Sequence, residues 1–355
     1  MTGTVTIKPD KNEQRLIFMQ YLKVGAVITI NTVLFNYVLR WILLLVCALA
    51  GGGFDSYESF RESADRVLAN DDISTVFSCF IPIISEVISI TLGIKLLKLD
   101  FKPLFTRNGF TGRELLRDTT VSLGLQTLAG LLAALVGFIL GLFNLESATA
   151  DITAKNNSAW SLIFMYFYAC LLGPLLEELL YRGVILQGMK KYNERFAIIL
   201  SALIFGLMHQ NYQQFILAFM IGLVFAAVDL KAGSLIPSVV MHIIVNTSGV
   251  LMQTAMQAAD FGAFQSVLSG EVYDTISGST AFMALAVLNA VFRFGIMFTG
   301  IVLLIVVAAR GDSVRKPTPA GKSRGLPLLL RNPVWYVIFI GYFYLCFIEP
   351  MSKIK

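Results

Sequence analysis

Apolar stretches, many long enough to cross a lipid bilayer, recur along the chain between short polar segments. Nine can be read: 24–50, 74–97, 118–144, 159–189, 195–210, 213–230, 234–254, 281–309 and 334–349. A helix of about 20 residues spans the hydrocarbon core. In lipid, backbone groups bond within their own segment, so each stretch predicts a helix rather than a strand. The polar/apolar alternation of a membrane barrel is absent. The expected fold is an all-α, polytopic transmembrane helical bundle of eight or nine spans. The count turns on whether the short stretch 334–349 crosses the bilayer or lies at its surface.

Composition and charge sharpen this picture. Hydrophobic residues make up 56% of the 355 and charged residues 14%, where a soluble domain carries about a quarter charged. The segments between spans alternate in charge. The N-terminal tail is basic, 51–72 is acidic, 95–117 is basic, 255–280 has no Lys or Arg, and 310–332 has six. Cationic segments stay on the cytoplasmic side, which predicts a multi-pass protein of the cell membrane with its N-terminus in the cytoplasm. This bias accounts for the net charge of +5, so no nucleic-acid partner is expected. The lipid bilayer is the partner that the composition implies. Cys47, Cys79, Cys170 and Cys346 stand singly in apolar runs, which points to neither a disulfide framework nor a thiolate metal site. The first 15 residues show no small-residue cleavage site, so the first helix is expected to remain. The expected organisation is a cytoplasmic tail (1–23), N-terminal helices (24–150), a core (159–255), and an extracytoplasmic loop with C-terminal helices (256–355).

The chemistry is concentrated in the core. Gly173-Pro174-Leu-Leu-Glu177-Glu178-Leu-Leu-Tyr181-Arg182 is followed by Phe205-Gly-Leu-Met-His209 and then by His242-Ile-Ile-Val-Asn246. His209 and His242 are the only histidines in the chain. Ionisable groups within spans are costly and usually face the protein interior for a functional reason. Glu178 and Arg182, four residues apart, can pair on one helix face. Glu177 is turned about 100° from Glu178 and remains as a candidate base. His242 and Asn246 share a face, as do Phe205 and His209, where the aromatic ring can wall the site against water. Glu177 and His209 each lie ~22 Å from the polar turn at 190–195 and are therefore level across a helical hairpin. A buried carboxylate beside a neutral imidazole can activate water, which fits Glu177 with His209. A second imidazole and an amide N–H can stabilise an oxyanion, which fits His242 with Asn246. Zinc is the competing chemistry, with Glu177, His209 and His242 as ligands and an open fourth position. No His-Glu-x-x-His run is present, and the residues leave both chemistries open. Elsewhere, Arg40 and Glu86 are expected to pair, Asp229 to lie near a cytoplasmic helix end, and Arg293 to make a helix–helix contact. Ser269-Gly270 and Tyr273-Asp274 lie in a polar loop without the partners that serine or aspartyl chemistry needs.

These runs resemble the CPBP family, the CAAX protease and bacteriocin-processing membrane proteins, which include the type II CAAX prenyl endopeptidases. The family motifs Glu-Glu-x-x-x-Arg, Phe-x-x-x-His and His-x-x-x-Asn stand here as Glu177-Glu178-x-x-x-Arg182, Phe205-x-x-x-His209 and His242-x-x-x-Asn246. The resemblance covers roughly 160–255, the core. It implies an intramembrane endopeptidase acting on a membrane-associated peptide or protein, with Glu177 and His209 activating water and His242 and Asn246 at the oxyanion. Glu178, Arg182 and Phe205 would support them. Members are described both as glutamate proteases, which need no cofactor, and as metal-dependent enzymes. Two other functions are compatible with the same residues: a proton-coupled transporter using the buried Glu/His set as a relay, and a non-catalytic scaffold or bacteriocin-immunity factor. No inverted repeat of the transporter kind is visible.

Overall fold

The computed structural model describes residues 11–52, 55–106, 109–142, 158–191, 193–258, 276–310 and 329–348. Among these there are helices and no strand. The helices are α1 (Lys11–Ala50), α2 (Tyr57–Leu68), α3 (Asp71–Leu97), α4 (Gly112–Leu142), α5 (Ala159–Lys190), α6 (Glu194–Met208), α7 (Tyr212–Ala232), α8 (Ile236–Ala258), α9 (Ile276–Arg310) and α10 (Pro333–Phe343). Every one of the nine expected stretches falls on a helix. Six are long and apolar enough to cross a membrane: α1, α3, α4, α5, α7 and the Leu288–Ala309 part of α9. Helices α6, α8 and α10 supply the remaining stretches. The 15 residues of α6 reach only ~22 Å, short of a full crossing.

Two features depart from the sequence reading. Helix α1 starts at Lys11, so part of the expected tail 1–23 is helical. Ile17, Tyr21, Val24 and Ile28 recur at helical spacing on one face and are buried in the main core. The acidic stretch 51–72, expected only as a loop, forms α2, which Ser56 caps by accepting from the Ser59 N–H. Residues 1–10, 259–275 and 311–328 lie outside the described residues. They hold most of the polar loop, including Ser269, Gly270, Tyr273 and Asp274, and most of the basic Pro/Gly segment.

Asparagine sets most of the other helix starts. Asn70, Asn193, Asn211 and Asn332 each accept a backbone N–H from the first turn of α3, α6, α7 and α10, which satisfies a donor that a helix leaves free. Thr111 and Glu114 form a reciprocal capping box at the start of α4, at 2.9 and 3.2 Å. Gly233, at φ +66°, ends α7 in the left-handed conformation that a side chain resists.

Helix α5 is the centre of the bundle. Leu180 through Leu186 are all buried, and α3, α6, α7 and α8 pack around it. Helix α4 packs outside α7 and α8 and against α9. Gly124 and Gly300 allow close approach of α4 and α9, since a Cβ on Gly300 would stand 2.8 Å from the Thr120 carbonyl oxygen. Gln126 ties α4 to α8 by donating to the Val245 carbonyl and accepting from Ser248. On α10, the Tyr342 hydroxyl meets Thr32 of α1 and Met208 of α6. Large apolar side chains such as Phe138, Ile163, Phe292, Phe298 and Ile305 are exposed on the outer faces, as surfaces facing lipid require.

Candidate active site

The two glutamates sit on an irregular part of α5. Residues Gly173–Glu178 form a short α-helical stretch between two π-helical ones, Tyr168–Leu172 and Leu179–Leu186. The Gly173 N–H bonds back to Tyr168 rather than to the residue four before it. Next comes Pro174, whose ring nitrogen has no hydrogen to donate. Widened turns of this kind occur often at functional sites. Here they set the rotation at which Glu177 and Glu178 leave the helix.

Glu178 and Arg182 are completely buried and paired, with Arg182 Nη1 3.0 Å from Glu178 Oε1. The same oxygen lies 2.8 Å from His242 Nδ1 on α8. The guanidinium is held from three further sides. Its carbon stands 4.3 Å from the ring centre of Phe205 and 5.5 Å from that of Phe225, and Nη2 donates to the Gly222 carbonyl at 3.4 Å. Gly222 belongs to this cluster because a Cβ there would meet Nη2 at 3.0 Å. Phe205 also meets the rings of His209 and His242 edge-on, with centroids at 5.2 and 5.6 Å. It is a buried hub between helices.

Glu177 and His209 line one cavity of about 310 Å³. His209 closes α6 and gives its Nδ1 to the Phe205 carbonyl at 2.9 Å. This leaves Nε2 as the nitrogen with a free lone pair. The chain turns sharply after it. Gln210 adopts φ +54°, and Asn211 both caps α7 and donates to the His209 carbonyl at 2.8 Å. That turn follows directly on His209, which lines the same cavity as Glu177.

His242 is nearly enclosed, and its Nε2 lies 3.4 Å from Glu177 Oε2. The ring therefore links both glutamates. Asn246 lies one turn further along α8 and donates through Nδ2 to the Ala169 carbonyl at 3.1 Å. Neither His242 nor Asn246 forms part of the cavity wall. Of the sequence-derived set, Glu177, His209 and His242 converge, Glu178, Arg182 and Phe205 pack behind them, and Asn246 is engaged with α5.

Three residues of interest were not assigned to the site from sequence. Glu86 and Arg40 line the same cavity, but the described residues contain no ion pair between them. Arg40 instead lies over Phe35, 5.5 Å from its ring centre. Gln210 is the third. The clue for Glu86 was present: Ser78, Pro82, Ser85 and Glu86 recur at helical spacing, and all four line the cavity. Arg293 makes the helix–helix contact expected of it, from α9 to the Ser248 carbonyl. Asp229 is buried near the end of α7 and accepts from both the hydroxyl and the N–H of Ser238, at 2.6 and 3.2 Å. Among the described residues, no three His, Cys, Asp or Glu side chains are grouped to hold a metal ion.

The chain is 26% identical over 137 residues to a Bacillus subtilis (strain 168) protein named "Putative membrane peptidase YdiL". The match covers 35% of this chain and 56% of that relative, so the chain spans only about half the relative's length. No solved structure matches. Residues 159–248, which carry all three motifs, match the family model of type II CAAX prenyl endopeptidase Rce1-like proteins.

Proposed function

We propose that this protein is an intramembrane endopeptidase of the cell membrane, with its N-terminus in the cytoplasm. Its substrate would be a membrane-associated peptide or protein. The observation that carries the reading is a shared cavity lined by Glu177 and His209, with His242 reaching Glu177 from a third helix.

In the proposed reaction a water molecule sits between the Glu177 carboxylate and His209 Nε2. Glu177 takes a proton from the water as its oxygen attacks the peptide carbonyl. The carbonyl oxygen becomes an oxyanion, stabilised by His242 through its Nε2 side and by the second amide hydrogen of Asn246. Collapse breaks the C–N bond, and the leaving amine takes the proton from Glu177. Glu178 accepts from His242 Nδ1 and fixes the ring, while Arg182 balances the Glu178 charge. This path assigns no step to a metal.

The test is cleavage of lipidated and membrane-spanning reporter peptides by the purified protein in vesicles, with prenylated C-terminal peptides as one arm. Glu177→Gln is expected to abolish turnover while leaving expression and thermal unfolding unchanged. Full turnover in that variant would refute the assigned base.

A further inference from the structure

Among the polar groups of the cavity that the hydrolytic scheme leaves unused, two have a buried atom without a partner among the described residues. Glu86, on α3, is only 5% exposed. It lines the cavity, and its Oε2 has no hydrogen-bond partner among the described residues. Gln210 follows His209 directly and lines the same cavity. Its Nε2 is likewise buried without a partner among the described residues. Buried polar groups are nearly always satisfied, so an unmet acceptor and an unmet donor on one cavity call for an occupant. Backbone geometry singles out Gln210 as well. Its φ of +54° is uncommon for a residue with a side chain, and such conformations cluster where a ligand is gripped.

The chemistry of the pair narrows the occupant. A carboxylate oxygen accepts a hydrogen bond, and an amide nitrogen donates one. A peptide unit presents the complement, an N–H and a C=O. A helical peptide uses those groups in its own hydrogen bonds, whereas an extended one offers them. Lipid tails offer neither group.

We propose that Glu86 and Gln210 hold the backbone of an extended substrate peptide beside Glu177 and His209, Glu86 accepting from one backbone N–H and Gln210 donating to one backbone C=O. The inference rests on the protease reading and adds its substrate class, a peptide segment unwound from helix. Specificity at this point would come from backbone conformation more than from side-chain identity.

Binding can be tested without turnover. Fluorescent lipidated and membrane-spanning peptides are titrated against the Glu177→Gln protein in vesicles, first unmodified and then N-methylated at one backbone nitrogen at a time. One N-methyl position should weaken binding about tenfold, the loss of a single hydrogen bond. Glu86→Ala should weaken binding of the unmodified peptide to the same extent, with no further loss on that N-methylated peptide. Gln210→Ala should show the same coupling to a thioamide that replaces one carbonyl. Glu86→Met keeps the side-chain volume and serves if the alanine variant does not fold. Additive losses overturn the proposal, as does failure of every peptide to bind. Turnover by the unmodified protein is read separately. Cleavage that is indifferent to Glu86 overturns this inference and leaves the protease reading standing. Glu86-dependent binding without cleavage supports the clamp and removes the protease reading.

Discussion

His242 Nε2 lies 3.4 Å from Glu177 Oε2, while the opposite nitrogen of the same ring is 2.8 Å from Glu178. Two acids adjacent in sequence thus address the two sides of one imidazole on another helix. They diverge because neighbours on a helix point about 100° apart. Glu178 looks inward to Arg182, and Glu177 looks toward the cavity. One ring therefore connects a fully buried ion pair to the wall where water has access. The Glu178–Arg182 pair has its consequence at the far nitrogen of His242.

That pair can be separated from the chemistry by its stability signature. Glu178→Ala leaves the Arg182 charge buried without its partner, a loss expected to cost about 3–5 kcal/mol. Replacing both residues, as Glu178→Ala with Arg182→Met, should recover part of the loss because no unpaired charge remains. Thermal unfolding in detergent micelles gives the comparison. A double variant no more stable than Glu178→Ala would show that the ion pair is not the origin of the effect.

Gly222 offers a test at a backbone position. Alanine there puts a methyl group 3.0 Å from Arg182 Nη2 and 3.2 Å from Phe205 Cδ1, in a cluster already packed on every side. Overpacking of this kind costs about 1–3 kcal/mol. Because Arg182 and Phe205 both contact the histidine-bearing side of the site, turnover should fall along with the unfolding temperature. An unchanged unfolding temperature would mean that the cluster has room the structure does not show.

The legible part of the protein was the part written in helical periods. Apolar length placed each expected span on a helix, and the i, i+4 spacing of Glu178 with Arg182 anticipated their pair. Equal distances from the polar turn suggested one site for Glu177 and His209, and both line one cavity. Other features depend on packing between helices far apart in sequence. Nothing local indicated that Glu178 would hold His242, 64 residues away. Asn246 shares a helix face with His242, yet its amide bonds to Ala169 because the widened turns of α5 bring that carbonyl within reach. Glu86 was read as a partner for Arg40 because opposite charges in apolar spans usually meet. The cavity keeps them apart in role, with Glu86 buried in its wall and Arg40 exposed.

Metal removal distinguishes the two hydrolytic chemistries. Among the described residues no three acidic, thiol or imidazole side chains are grouped as a metal site, and His242 already has a carboxylate at each nitrogen. Exhaustive treatment with a chelator, followed by elemental analysis, is expected to leave turnover unchanged. Loss of activity restored stoichiometrically by zinc would replace the carboxylate mechanism with a metal-assisted one.

The sharpest separation of chemistry from structure is expected at His209. Its Nδ1 bonds to the Phe205 carbonyl of its own helix end, a contact that holds the ring but joins no two helices. His209→Ala removes a water-orienting nitrogen from the cavity and should lower kcat by about 10²–10⁴-fold, the range for a positioned acid–base group. Stability should change little, since the ring is at the helix terminus and only partly enclosed. Phe205→Leu should behave in the opposite way. It removes the face under Arg182, at 4.3 Å, with an expected loss of up to about 2 kcal/mol from the cation–π contact alone, and it leaves both cavity-lining groups chemically intact. Measured together, the alanine variant should lose turnover at a normal unfolding temperature, and the leucine variant should lose unfolding temperature with a smaller effect on kcat. If both variants lose stability and turnover in proportion, His209 is acting as a packing residue and the water-activating role assigned to it fails.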